Sequence, residues 1–231
     1  MMRVHVICEG QTEETFVTNI LSPSFYSKEI YLYPSLIGKP GQKGGGVSLK
    51  RLASDARNRL FKDRSAYCTT FFDFYGLPDD FPGKSDAARC ASIQEKADCI
   101  CRSMNDELEK TIRSDALRRF IPYVQMHEFE GLLFSDPVHF AKGIDSPDLV
   151  QPFQEIRNQF QSPETINDNK HTAPSKRIQQ LYPGYEKPLY GVLAAQEIGL
   201  DNIRRECSLF HSWLTKLENL PHAEEGNRGE R

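Results

Sequence analysis

Short apolar runs alternate with segments of helical periodicity through the first half of the chain. Four runs predict strands, at Arg3–Cys8, Ile30–Ser35, Ala66–Phe74 and Phe120–Met126. They are rich in β-branched and aromatic residues and end at turn-forming residues. Nearly continuous apolar runs are typical of strands that are buried on both faces, as in a parallel sheet. Pro122 lies inside the fourth run, which predicts an edge strand or a bulge there.

Helical periodicity follows each of these runs. Thr12 is predicted to be the N-cap of a first helix, since acidic residues follow it in the first turn. Apolar residues at helical spacing predict a second helix at Leu49–Phe61, with its charged residues outside. A long helical stretch is expected at 88–114, and His127–Phe134 is expected to turn directly into a helix.

The order of elements predicts an α/β fold. Strands that alternate with helices imply a doubly wound domain with a central, mostly parallel sheet flanked by helices. Residues 135–220 are mostly helical, with loops near 162–175 and 182–188, and predict a helical C-terminal part packed on that sheet. We therefore expect a single domain over residues 1–220. The segment 221–231 has almost no apolar residues and predicts a flexible tail.

Composition excludes several classes of protein. No apolar run approaches the roughly 20 residues that cross a bilayer, and no signal peptide precedes the first strand. These features predict a cytosolic protein without a membrane partner. The six cysteines are scattered and contain no CxxC pair, so we expect free structural thiols. A lone Cys99-Ile100-Cys101 lacks the ligands of a zinc site.

Charge is uneven along the chain. The net charge is −3, which excludes a generally basic nucleic-acid binder. However, residues 39–64 contain eight lysines and arginines against two aspartates. There, a Gly-rich loop at Gly41–Gly46 precedes a predicted helix. The basic residues of that helix are predicted to contact a nucleic-acid backbone: Lys50, Arg51, Arg57 and Arg59. A solvated helix face explains the same charges. The loop lacks the spacing of a P-loop.

Acidic residues stand where the predicted strands end. Glu9 follows the first strand, Asp73 closes the third, and Glu128 and Glu130 follow the fourth. Glu13 returns to the side of Glu9 about one helical turn later. Because sites in open parallel sheets form at the carboxyl ends of strands, the Val4–Cys8 and Thr69–Asp73 strands should be neighbours. Carboxylates that converge need a cation between them, and oxygen ligands suit Mg²⁺ or Mn²⁺. Taken singly, Glu13 also fits an ordinary first-turn helix residue, and Asp73 fits a cap of the loop after its strand. Glu128 or Glu130 also fits a solvated helix face.

Glu9-Gly10-Gln11-Thr12-Glu13, after an apolar strand, resembles the EGxxE motif that opens the Toprim domain of overcoming-lysogenization-defect (OLD) nucleases. The resemblance implies a Toprim-like fold with Glu9, Glu13 and Asp73 as metal ligands. Asp73-Phe74-Tyr75 stands in the place of the superfamily's DxD, with Tyr75 instead of the second acid. Glu128 or Glu130 would then supply the missing ligand.

The chain also resembles a bacterial family called domain of unknown function 4276. Five blocks carry this resemblance, at Cys8–Glu14, Phe72–Pro78, Phe81–Gly83, Pro122–Phe134 and Pro174–Ile178. Members are similar to OLD-type proteins and are often encoded beside an ATPase, in settings linked to phage defence. The resemblance thus implies a partner ATPase of the OLD or ABC type.

The OLD resemblance also implies roles for a lysine and a histidine. Lys176 is a candidate to neutralise charge on a phosphate, and the alternative is an exposed residue at a helix start. His127 is a candidate base or supporting residue, and the alternative is a packed, hydrogen-bonded histidine.

Three functions remain open from the sequence. The first is a metal-dependent nuclease that acts on DNA or RNA, and the second is a non-catalytic Toprim-like subunit of an ATPase complex. The third is another Mg²⁺-dependent phosphoryl-transfer enzyme. A homo-oligomer is compatible with all three.

Overall fold

Five parallel strands form the central sheet of the described chain. The structure, a computed structural model, describes residues 1–38, 46–167 and 172–221. The strands are β1 (Met2–Cys8), β2 (Ile30–Leu36), β3 (Tyr67–Asp73), β4 (Phe120–Ile121) and β5 (Val124–Gln125). Their order is β2-β1-β3-β4, and β5 also pairs with β3. The predicted α/β fold with a parallel sheet is confirmed.

The pairing of β1 with β3 decides where the functional site can form. Val4 lies opposite Tyr67, and Cys8 lies opposite Phe71, in parallel register. The two strands are therefore neighbours, as predicted, and both point their carboxyl ends to the same edge of the sheet. β2 continues the sheet on the other side of β1.

Pro122 interrupts the last strand at the sheet edge. β4 and β5 flank it, and each pairs with β3 alone. Two threonine side chains bridge the interruption. Thr69 Oγ1 donates to the Ile121 carbonyl at 2.5 Å, and Thr70 Oγ1 accepts from the Tyr123 amide at 2.9 Å. The predicted effect of proline on this strand is confirmed, because Pro lacks the amide that a regular ladder needs.

Helices cover both faces of the sheet. Those of the first half are α1 (Gln11–Phe16), α2 (Ser22–Phe25), α3 (Leu49–Lys62), α4 (Lys84–Ala87), α5 (Ile93–Glu109) and α6 (Ser114–Leu117). Those of the second half are α7 (Pro137–Gly143), α8 (Val150–Asn158), α9 (Pro174–Leu181), α10 (Val192–Ile198), α11 (Leu200–Glu206) and α12 (Ser208–Glu218). Among the described residues, two π-helical turns occur, at Val17–Leu21 and Lys187–Gly191. The helical C-terminal part is thus confirmed.

Alternating residues of the central strands divide the core between the two faces. Val6, Cys8 and Phe71 belong to one apolar cluster, which includes residues of α1 and of the C-terminal helices. Ile7 and Phe72 belong to a second cluster, which includes residues of α3 and α5. Because both faces are covered, both sets of side chains are buried, which explains the nearly continuous apolar runs of β1 and β3.

Two local predictions were wrong. Thr12 does not cap α1, because Gly10 is the N-cap and Thr12 is buried within the helix. The HEFEGLLF segment does not form an α-helix from His127; instead a 3₁₀ helix begins at Phe129 and ends at Ser135. The long stretch predicted at 88–114 is helical as α5, which begins at Ile93.

Some predictions concern residues that lie outside the described ranges. Most of the glycine-rich loop, at 39–45, and the tail at 222–231 lie outside the described residues. At the start of the tail, the Pro221 carbonyl accepts a hydrogen bond from the Tyr67 hydroxyl at 3.2 Å. All six cysteines are free, as expected. Within the described ranges, no helix has the length and apolar character needed to cross a membrane.

Candidate functional site

The carboxyl edge of the sheet carries five acidic residues from three neighbouring strand ends. We call them the acidic cluster: Glu9, Glu13, Asp73, Glu128 and Glu130. Glu9 follows β1, Asp73 is the last residue of β3, and Glu128 and Glu130 follow β5. Glu13 lies in the first turn of α1. The parallel topology thus places all five predicted acids at one end of the sheet.

Hydrogen bonds join the three strand ends in series. Glu9 Oε2 accepts from the Asp73 amide at 3.0 Å, which links β1 to β3. Asp73 Oδ1 accepts in turn from the Phe129 amide at 2.8 Å, which links β3 to the 3₁₀ helix. Each carboxylate is therefore held by a backbone donor of the next strand end, and its orientation is fixed by the fold.

Two glycines allow the chain to pass close to these carboxylates. The Gly10 amide donates to Glu13 Oε2 at 2.8 Å, so Glu13 folds back over the start of α1. At Gly76, a Cβ atom would overlap the Glu9 carboxylate. A larger residue at position 76 would displace that carboxylate from its bond with Asp73, which accounts for glycine in the DFYGLP string.

Glu128 and Glu130 are held differently. Glu128 Oε2 accepts from the Ser175 amide at 2.9 Å, at the start of α9. Glu130 is fully buried, and its Oε2 accepts from Lys187 Nζ at 2.8 Å. The other oxygen, Glu130 Oε1, has no hydrogen-bond partner among the described residues. Lys187 Nζ also lies 3.9 Å from Glu128 Oε1.

Sequence reasoning missed Lys187. The residue lies in a segment that the sequence predicts as a loop, and no motif or spacing relates it to the strand ends. Only the packing of the Lys187–Gly191 turn near α1 brings it to the acidic cluster. Pairing of this kind depends on tertiary structure, and single-sequence patterns do not contain it.

Burial makes Glu9, Glu13, Asp73 and Glu130 hold protons more tightly than free carboxyls do. Burial, with repulsion from Glu9, raises the pKa of Glu13 to about 7. Burial likewise raises the pKa of Glu130 to about 7, although Lys187 opposes the shift. Burial and the charge of Glu13 raise the pKa of Asp73 well above its usual range. The positive charge of Lys187 thus offsets the effect of burial on the pKa values of Asp73 and Glu130 only in part.

The carboxylates do not share a common point as they stand. Within residues 1–38, 46–167 and 172–221, no group of three or more His, Cys, Asp or Glu side chains is arranged to hold a metal ion. Each acid of the cluster instead has its own protein donor. A metal ion would require some of these side chains to turn toward one another.

A comparison with protein families identifies the family of the chain. A model of the family described as domain of unknown function (DUF4276) matches residues 8–218. The chain belongs to the DUF4276 family. The matched region contains the whole acidic cluster and Lys187. Comparisons with curated proteins and with solved structures found no match.

His127 is packed against aromatic rings of this DUF4276 protein. It is 4 % exposed, and its ring lies 5.6 Å from that of Tyr75 and 6.1 Å from that of Phe74. Its Nδ1 has no hydrogen-bond partner in the part of the chain that the structure describes. Burial lowers the pKa of His127 to about 4. Tyr75 thus contacts His127 through its ring, and its amide donates to the His127 carbonyl at 3.1 Å.

We expect this histidine to destabilise the protein in acid. Its folded-state pKa of about 4 lies below the ordinary 6.5, so the folded state resists protonation. The contribution of His127 to the unfolding free energy should be fully present above about pH 6.5. It should be lost, by up to about 3 kcal/mol, as the pH drops through 4. His127→Phe keeps the aromatic contacts and should remove this loss, measured as the difference in unfolding free energy from wild type. His211→Phe, at an exposed position, is the control. A pH dependence that is the same in His127→Phe and wild type would contradict the expectation.

Lys176 does not contact the acidic cluster in this DUF4276 chain. It is exposed on α9, and its Nζ donates to Gln179 Oε1 at 3.2 Å. Lys187 is the lysine that contacts the carboxylates. A second cation, Lys84, is 8 % exposed and lies 5.6 Å from the Phe74 ring. Burial raises the pKa of Glu9, and the charges of Lys187 and Lys84 oppose that shift.

The predicted basic residues of α3 divide into two groups. Lys50 and Arg57 are exposed, and Arg57 lies 5.8 Å from the ring of Phe61. Arg51 donates to the Gly46 carbonyl at 3.0 Å. Arg59 instead belongs to the fold: it donates to Ser35 Oγ at 2.7 Å and lies 3.5 Å from Asp55. Only part of this helix therefore presents its charge to solvent.

Proposed function

We propose that this DUF4276 protein is a Toprim-like nuclease that hydrolyses phosphodiester bonds of DNA or RNA with Mg²⁺ or Mn²⁺. The observation that carries the proposal is the acidic cluster, in which the ends of three adjacent parallel strands and the first turn of α1 bring five carboxyl groups to one sheet edge. The EGQTE string at Glu9 and the position of Asp73 support the Toprim-like assignment.

The chemical type of these ligands suits a hard divalent cation. All five groups supply carboxylate oxygens, which Mg²⁺ and Mn²⁺ prefer, and Glu130 Oε1 is a buried oxygen without a partner among the described residues. Glu9, Glu13 and Asp73 would hold the ion, with Glu128 or Glu130 as a further ligand. When bound, such an ion activates water and stabilises charge at the phosphate.

The protein's own part in this reaction is to fix the carboxylates. The Asp73 amide orients Glu9, and the Phe129 amide orients Asp73. Gly76 leaves room for the Glu9 carboxylate. Pre-set ligand orientations of this kind reduce the reorganisation that ion binding requires.

The proposal extends to partners. In a crossover between parallel strands, α3 begins at the carboxyl edge of the sheet, so exposed Lys50 lies at the same end as the acidic cluster. We include Lys50 and Arg57 as contacts to a nucleic-acid backbone, with salt-sensitive affinity. A partner ATPase of the OLD or ABC type, in phage defence or mobile-element biology, completes the proposal.

Cleavage of labelled single- and double-stranded DNA and RNA tests the function. We expect cleavage with Mg²⁺ or Mn²⁺, none with a chelator, and weaker binding as salt rises. The assay should be run with and without a candidate partner ATPase of the OLD or ABC type. Absence of metal-dependent cleavage under all of these conditions would contradict the nuclease.

A non-catalytic subunit of an ATPase complex is the second candidate. Two observations favour it: Tyr75 replaces an acid, and Lys187 already neutralises part of the acidic cluster. On this alternative, the protein binds the ATPase equally well with and without divalent ions, and substitution of Glu9 leaves the complex active.

A further inference from the structure

We propose that Lys187 is an internal counter-ion of the acidic cluster, and that a divalent cation binds there by displacing its ammonium group from Glu130. This inference rests on the proposed metal site and concerns how that site is controlled. It explains why five suitable ligands lie at one edge of the sheet without being arranged around a common point.

The contacts of Lys187 place its charge among the carboxylates. Its Nζ is 2.8 Å from Glu130 Oε2 and 3.9 Å from Glu128 Oε1. Glu130 is fully buried, and its second oxygen has no partner within the described ranges. A single ammonium therefore satisfies one oxygen of a buried carboxylate and leaves the other available. A divalent ion could satisfy both and would bring twice the charge.

Charge balance favours this exchange. A buried carboxylate without a cation is strongly destabilising, so the protein without metal needs Lys187. The remaining acids, Glu9, Glu13 and Asp73, are held by backbone N–H donors, which carry no full positive charge. Lys187 thus stabilises the metal-free protein, and it competes with any divalent ion for the same oxygens.

The location of Lys187 makes displacement feasible. Its side chain is 37 % exposed, whereas that of Glu130 is 0 % exposed. The residue begins the π-helical turn Lys187–Gly191, and Glu186 before it has an extended backbone. The ammonium can therefore swing into water by rotation of its own side chain, while the carboxylate stays in place. Lysine combines a mobile stem with a strongly hydrated charge, which suits such an exchange.

Mn²⁺ binding to the full chain tests the first half of the inference. Lys187→Gln removes the competing charge, so we expect the dissociation constant for Mn²⁺ to fall about tenfold or more. The melting temperature without metal should fall as well. Lys187→Arg retains the charge and should resemble wild type. Lys176→Gln, at an exposed lysine outside the acidic cluster, is the matched control and should change neither quantity.

Chemical labelling of wild-type protein tests the displacement itself. Acylation of lysines by an N-hydroxysuccinimide ester, read by mass spectrometry, should modify Lys187 faster when Mn²⁺ is present. Lys176 should react equally in both states. This measurement needs no variant, so it decides the inference even if Lys187→Gln does not fold.

The outcomes separate the inference from the proposed function. If Mn²⁺ changes neither the melting temperature nor the labelling of wild type, the metal site fails and this inference fails with it. If wild type binds Mn²⁺ but Lys187→Gln binds it no more tightly, the counter-ion role is wrong. Labelling of Lys187 that Mn²⁺ leaves unchanged would likewise overturn displacement. In the last two cases the proposed nuclease stands.

Discussion

Replacement of Glu9 by glutamine is expected to reduce metal-dependent cleavage by a factor of about 100 or more. The amide oxygen of the new side chain can still accept the hydrogen bond from the Asp73 amide, which Glu9 accepts at 3.0 Å. The fold should therefore remain. The negative charge at the end of β1 is lost, however, and with it a central ligand of the proposed ion. Cleavage rates at saturating Mg²⁺ or Mn²⁺ measure the effect, and the ion's effect on melting temperature should shrink in parallel.

Two further variants make this test specific. Glu14→Gln removes a carboxylate one residue beyond Glu13, outside the acidic cluster, and should leave cleavage unchanged. Gly76→Ala keeps every charge but pushes the Glu9 carboxylate from its place, since its Cβ would overlap that group. It should lower activity as Glu9→Gln does. Full cleavage activity of Glu9→Gln would show that Glu9 is not a ligand of the proposed ion.

Replacement of Phe71 by alanine should cause a loss of about 4 kcal/mol in unfolding free energy. Phe71 is fully buried in the centre of β3. Its ring lies 5.3 Å from that of Trp213, 6.0 Å from that of Phe16 and 6.3 Å from that of Phe129. It thus joins the sheet to α1, to the 3₁₀ helix that carries Glu130 and to the C-terminal helices. The resulting cavity would be lined by residues of several elements, so neighbouring side chains cannot fill it without a cost in free energy.

Phe61→Ala is the matched control for this prediction. Phe61 is 39 % exposed near the end of α3, under the guanidinium of Arg57. Its loss should cost less than about 1 kcal/mol. Chemical denaturation of both variants gives the comparison. Equal losses at the two positions would show that the cluster around Phe71 does not carry the stability assigned to it.

The adjacency of β1 and β3 and the position of the acids could be predicted from the sequence for a physical reason. β1 and β3 are buried on both faces, so their apolar runs are nearly continuous, and the acids after them mark where each strand leaves the core. Neighbouring parallel strands bring such ends together whatever the packing of the surrounding helices. Periodicity was similarly sufficient for α3, whose apolar positions repeat along one face.

The parts that were missed depend on contacts between distant residues. Glu13 reaches back to the Gly10 amide, which moves the cap of α1 from Thr12 to Gly10. The Asp73 carboxylate holds the Phe129 amide, and the helical segment begins there rather than at His127. Lys187 finds Glu130 only through the packing of its turn. Local propensity contains none of these pairings.

The acidic cluster and its counter-ion come from both ends of the chain, from Glu9 near the start to Lys187 in the last fifth. During synthesis, therefore, the first strand leaves the ribosome long before the lysine that neutralises its partner acids. Until that residue emerges, Glu130 lacks its ammonium partner, and its burial in the nascent chain is opposed by its charge. A chain that terminates before Lys187 should accordingly fail to fold at this edge of the sheet and be susceptible to proteases. Completion of the site therefore depends on synthesis of the chain as far as Lys187.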